Sequence, residues 1–201
     1  MLPHKQLPSS VPARKRTRRF QPTNGDTFSP ASTSVIRIPI RDINYLDGSN
    51  SYLKFSLTNS SEFQLNLDPN AYAVISRVRV LVGGAVAEDI ERVNVLSNML
   101  TQSQGSEDYN KTLQIVAGQA ITDQDATGSL AGETIADGAS KTYCIPVFSG
   151  LLNCGKFLPL GLFKSNAVTL ELYLEQTNHV GVFSGDPTGS YSLSSVEYIA
   201  S

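Results

Sequence analysis

The sequence predicts an all-β fold: an antiparallel sandwich with one short helix and one long loop, preceded by a flexible, basic N-terminal arm. Three observations point there. Beyond the arm the dominant period is two, apolar residues alternating with polar ones as in a strand with one buried face. Fifteen Gly and 10 Pro, with many Ser, Thr and Asn, punctuate these runs, and only 17% of residues are charged, which disfavours helix bundles and coiled coils. At 201 residues, 40% of them apolar, the chain can bury one sizeable core and still carry a tail.

The arm comes first. Six of the 16 basic residues (Lys5, Arg14, Lys15, Arg16, Arg18 and Arg19) and none of the 18 acidic ones lie in residues 1–20. The rest of the chain therefore carries −8, although the whole carries −2. Pro3, Pro8, Pro12, Pro22 and Pro30 prevent a regular helix, and the segment has little apolar surface to bury. Residues 1–30 are expected to form the arm and residues 31–201 the folded domain. Charge alone leaves two uses for the arm: nuclear import or solubility, and electrostatic contact with nucleic acid or acidic surfaces.

Strands follow. Ile36, Ile38 and Ile40 share one face of their segment, as do Leu53, Phe55 and Leu57 of Tyr52-Leu53-Lys54-Phe55-Ser56-Leu57-Thr58. Residues 73–82 repeat the alternation, with Val74, Val78, Val80 and Val82 on one side and Arg77 and Arg79 on the other, up to a turn at Gly83-Gly84. Residues 141–148, 167–175 and 190–200 complete at least six strands. Residues 87–100 depart from period two. Apolar positions 90, 93, 96, 99 and 100 follow helical spacing, and Glu88, Asp89 and Glu91 suit the positive end of a helix dipole. This predicts a helix with Ile90, Val93, Leu96 and Leu100 buried. Residues 105–138, polar and Gly-rich with Asp123, Asp125, Glu133 and Asp137, read as a long surface loop. The order of elements is that of a jelly-roll or related sandwich.

Catalytic chemistry has no anchor in this sequence. His4 lies in the arm and His179 in a turn, with no partner within nameable reach, and no G-x-S-x-G motif is present. Gly83-Gly84 lacks the Lys and Ser/Thr of a phosphate loop, and Asp123 and Asp125 lack the Gly and terminal Glu of a calcium loop. Cys144 and Cys154 have no second pair for zinc and read as free thiols. No apolar run approaches the roughly 20 residues that span a bilayer. The aromatic residues are scattered along the chain and make no evident base-stacking platform. The expectation is therefore a non-enzyme with no cofactor, no metal and no small-molecule substrate.

The run Leu67-Asp68-Pro69-Asn70-Ala71-Tyr72, continued by Val78-Arg79-Val80-Leu81-Val82-Gly83-Gly84 and by Glu88-Asp89-Ile90-Glu91-Arg92-Val93-Asn94, resembles the first jelly roll of double-jelly-roll major capsid proteins of eukaryotic DNA viruses, of the polinton-like virus and virophage type. In that family a strand ends at a Gly-Gly-type turn and a Glu-Asp/Glu-Ile-x-x-Tyr-Asn helix start follows; Val93 stands where Tyr is common. Residues 52–57, Phe157-Leu158-Pro159-Leu160 and Tyr191-Ser192-Leu193-Ser194-Ser195-Val196-Glu197-Tyr198-Ile199 add to the likeness, which covers about residues 35–200.

The resemblance implies a capsid structural protein of the virion that self-assembles into an icosahedral shell, as trimers or hexamer-like capsomers with other capsid proteins, in the host cytoplasm or nucleus. The arm would face the interior, where Arg14, Lys15, Arg16, Arg18 and Arg19 neutralise genome phosphates without reading sequence or tether to internal proteins or a membrane. Two fused rolls need well over about 300 residues. The chain is thus expected to be either an N-terminal half, with an apolar face left exposed, or a single-roll subunit. A jelly-roll carbohydrate- or receptor-binding module and a minor or vertex capsid protein are the alternatives.

Overall fold

The computed structural model describes residues 14–42, 44–48, 51–67, 70–103, 116–124, 130–153, 155–163, 168–176 and 189–201. In chain order the strands are β1 (Arg18–Phe20), β2 (Thr27–Phe28), β3 (Val35–Ile40), β4 (Tyr45–Asp47), β5 (Tyr52–Asn59), β6 (Leu65–Asn66), β7 (Ile75–Val82) and β8 (Ala85–Glu91). They continue after helix α1 (Val93–Ser103) with β9 (Gln119–Gln124), β10 (Leu130–Gly132), β11 (Thr134–Ile135), β12 (Ser140–Pro146), β13 (Phe157–Pro159), β14 (Val168–Leu174) and β15 (Tyr191–Ala200).

Two antiparallel sheets carry the fold. One has the order β1-β15-β5-β12, with β2 also on β15, and the other has β3-β14-β7-β8. Counting β1 and β2 as one interrupted strand, the first sheet holds main strands one, eight, three and six, and the second holds two, seven, four and five. Crossing between sheets in that order produces the two Greek keys of a jelly roll.

The alternation read from sequence packs the interior. Ile36, Ile38 and Ile40 meet Val78, Val80, Leu170 and Leu172 on one inner face, and Leu53, Phe55, Leu57, Leu193 and Tyr198 line the other; all are buried. The outward parity is polar. On the second sheet Arg77 grips Asp89 through two bonds of 2.7 and 2.5 Å, and Arg37 (2.9 Å) and Arg79 (3.6 Å) converge on Glu171. Lys54, Ser56 and Thr58 occupy the corresponding positions of β5, each half-buried. Neither sheet therefore presents the apolar outer face expected of half a fused pair. Most of the exposed large apolar residues sit instead on the helix (Val95, Leu96, Met99 and Leu100) and around β4 and β13 (Tyr45, Phe157 and Leu162), with Tyr52 and Val86 isolated on β5 and β8.

Several expectations need correction. The ordered sheet begins at Arg18, inside the stretch expected as arm, because Phe20 and Phe28 are buried anchors and Phe20 packs its ring 6.1 Å from that of Tyr198. Residues 1–13 of the arm lie outside the described residues. Residues 71–74 form a 3-10 turn, and β7 starts only at Ile75. The helix expected over 87–100 spans Val93–Ser103, since residues 85–91 return from the Gly83-Gly84 turn as β8 beside β7. Glu88, Asp89 and Glu91 are thus strand residues. Arg92, at φ 55, breaks the strand before the helix begins.

The stripe is also different. Val93, Asn94 and Ser97 are buried, while Leu96 and Leu100 are exposed and Ile90 is half-buried on β8. Asn94 donates to Glu175 (2.8 Å) and Asn70 to Ser97 (3.3 Å), so polar bonds, more than apolar burial, seat the helix. The long polar loop contains β9, β10 and β11; Ile135 of β11 is buried and pairs with Leu65 of β6. Cys144 is a half-buried free thiol, and burial raises its pKa. His4, His179, Asp125 and Cys154 lie outside the described residues.

Candidate functional site

The predicted cations meet the body at one end of the sandwich. Arg18 pairs with Ala200 in the sheet, which puts the basic segment where β15 ends, next to the connection that follows β3. Helix α1 lies at the other end, against the 3-10 turn that precedes β7. The segment is basic because nothing there must be buried before Phe20. It reaches the body because that end supplies carboxylates.

Three of the five cations are neutralised locally. Lys15 lies 3.0 Å from Asp47, Arg18 2.9 Å from Asp42 and Arg19 3.9 Å from Glu197, which Lys54 also approaches at 3.6 Å. Arg14 and Arg16 are exposed and have no acidic side-chain partner among the described residues. With Arg18 and Lys15 offsetting Asp42 and Asp47, the cluster carries about two surplus positive charges, which water and salt screen only in part.

Arg14, Lys15, Arg16 and Arg18, with Asp42, wall a groove of about 640 Å³ whose other wall is the two-stranded ribbon of β4 and β13. Its floor is apolar, with Phe20, Leu46 and Leu160 buried. Tyr45 opposes Pro159 and Asp47 opposes Phe157, so these four share the ribbon's outer face while Leu46 turns inward. Tyr45 and Phe157 are 63% and 60% exposed and both line the groove. Sequence reading missed this pair, because 45 and 157 are far apart and only strand pairing brings them together. The two aromatics scattered in sequence form one surface in space. Among the described residues, no three His, Cys, Asp or Glu side chains cluster to hold a metal.

The fold and this site define a jelly-roll β-sandwich with a basic groove at one end and a helix at the other. Among solved structures, the chain is similar to the Faustovirus major capsid protein, with TM-score 0.53 and 10% identity over 98% of this chain and 56% of that one. It also matches the mavirus major capsid protein (TM-score 0.48, 11% identity, 100% and 51% covered) and the PBCV-1 virus capsid (TM-score 0.46, 16% identity, 95% and 44% covered). The chain thus spans about half the length of the solved structures it matches. No family model matches the sequence, and no curated protein does.

Proposed function

We propose that this chain is a structural building block of a viral capsid: a jelly-roll subunit that self-associates laterally into trimers or hexamer-like capsomers, with other capsid proteins, in the virion shell. The observation that carries this reading is the jelly-roll topology shared over nearly the whole chain with the Faustovirus major capsid protein. Two features of the molecule support it. The polar, charged outer faces of both sheets suit repeated contacts of modest strength between copies. The basic segment and helix α1 lie at opposite ends, so a shell with the helix end outward turns Arg14, Lys15, Arg16, Arg18 and Arg19 toward the interior, where genome phosphates supply the counter-charge. Assembly takes place in the host cytoplasm or nucleus on this reading.

Light scattering on the size-separated full chain, followed by electron microscopy, tests the proposal. Trimers, hexamer-like rings or closed shells are expected. A strict monomer at every concentration and salt, or a monomer that binds oligosaccharide, would overturn it.

A further inference from the structure

We infer that the groove between the basic segment and the β4–β13 ribbon holds an unpaired nucleic-acid strand, with phosphates on Arg14 and Arg16 and a base against Tyr45 and Phe157. This rests on the reading that the basic segment meets nucleic acid, and it adds the form of the strand and the residues that distinguish it.

The aromatic pair supplies the first argument. Tyr45 and Phe157 are diagonal neighbours on one face of an antiparallel ribbon, since each opposes the residue two places from the other. Such positions lie about 7–8 Å apart, roughly twice the ~3.4 Å spacing of stacked bases, which leaves room for one flat ring between or across them. Rings this exposed contribute little to the core. Their solvent-facing π surfaces are available to any base, because every base has a face to stack.

Charge supplies the second. The two acidic side chains of the groove, Asp42 and Asp47, are already engaged by Arg18 and Lys15, whereas Arg14 and Arg16 have no acidic side-chain partner among the described residues. An anion entering the groove therefore meets two available guanidinium groups, each able to fork onto phosphate oxygens. Stacking surface beside unneutralised arginine is the combination that single-strand binders use.

Shape decides against the other anionic partners. A duplex hides its base faces and can use only the cations. A bilayer surface is flat and cannot enter a concavity of about 640 Å³, a volume in the range that encloses small ligands. A neutral sugar would leave both arginines unused.

Fluorescence anisotropy on the full chain tests this, with labelled oligothymidylate of about 16 nucleotides, a duplex of the same length, and phosphatidylserine vesicles as a third probe. Wild type is expected to prefer the single strand. Tyr45→Ala with Phe157→Ala should weaken single-strand binding about tenfold or more and leave duplex binding unchanged. Tyr45→Phe with Phe157→Tyr should restore it, and Arg14→Ala with Arg16→Ala should weaken both. Both rings are exposed, so the melting temperature of each variant should match wild type, and the single substitutions serve as a second series. Undiminished single-strand binding by the alanine pair, with duplex binding intact, overturns the inference and leaves the phosphate-contact reading standing. A ring-dependent affinity for vesicles in place of oligonucleotide overturns it as well. Failure of wild type to bind either oligonucleotide removes the phosphate-contact reading itself.

Discussion

The carboxylate of Glu88, on edge strand β8, accepts a hydrogen bond from the Ser149 hydroxyl (2.5 Å), just beyond β12 on the edge of the other sheet. The same carboxylate accepts from the backbone N–H groups of Gly150 (2.6 Å) and Leu151 (3.2 Å), and Ser149 in turn accepts from Leu152 (3.0 Å). One side chain thus ties the two sheets together along an edge where, among the described residues, no strand pairing links them. Glu88→Ala leaves two N–H donors without acceptors, and a loss of about 1–3 kcal/mol is expected. A lowered urea midpoint at unchanged slope would show it.

Helix seating separates two substitutions that periodicity alone would equate. Val93 is fully buried at the start of α1, whereas Leu96 is 37% exposed. Val93→Asp should cost about 3 kcal/mol or more by burying an unpaired carboxylate, and Leu96→Asp should cost about 0.5 kcal/mol or less. Equal losses in thermal denaturation would contradict the placement of the helix.

Acid stability should depend on the Arg77–Asp89 pair. The guanidinium of Arg77, bonded twice to Asp89, holds that carboxyl below the usual carboxylate range, against a smaller opposing effect of burial. A depressed folded-state pKa stabilises above the unfolded value, about 3.9 for Asp, and that stability is lost as pH falls through the folded value. Asp89→Asn should therefore be less stable than wild type at about pH 6, with the difference shrinking as the pH falls below the unfolded value. Chemical denaturation at stepped pH measures it.

Salt dependence should count the unpaired cations. Five free cations would contribute a log–log slope of about −4 to −5 for duplex DNA, at about 0.9 per phosphate. Because Lys15, Arg18 and Arg19 are held by Asp47, Asp42 and Glu197, Arg14→Ala with Arg16→Ala should reduce the slope by about 2, and Asp42→Asn with Asp47→Asn should steepen it by about as much. An equal reduction from Lys15→Ala with Arg18→Ala would mean that these ion pairs give way to phosphate.

Local pattern determined the greater part of the sandwich. The alternations at residues 36–40 and 53–57 place their side chains in the core as read, since a strand's period of two is fixed by covalent geometry wherever the chain is extended. The Gly83-Gly84 turn was equally legible, with φ of 62 and 85, values that Gly adopts without steric cost.

Only the tertiary structure decided the rest. The acids at 88, 89 and 91 are compatible with a helix start or with a strand, and the strand is selected by Asp89 and Glu91 meeting Arg77 and Arg79 across β7 while Glu88 reaches Ser149, just beyond β12 of the other sheet. Phe20 and Phe28 look like stray apolar residues in a basic, proline-rich tail until β15 offers them an unpaired edge and a core to enter. The groove was illegible for the same reason. Its walls come from segments that share no sequence period, and Tyr45 and Phe157 become neighbours only because strand pairing, a long-range contact whose loop-closure entropy no local pattern encodes, sets β4 beside β13.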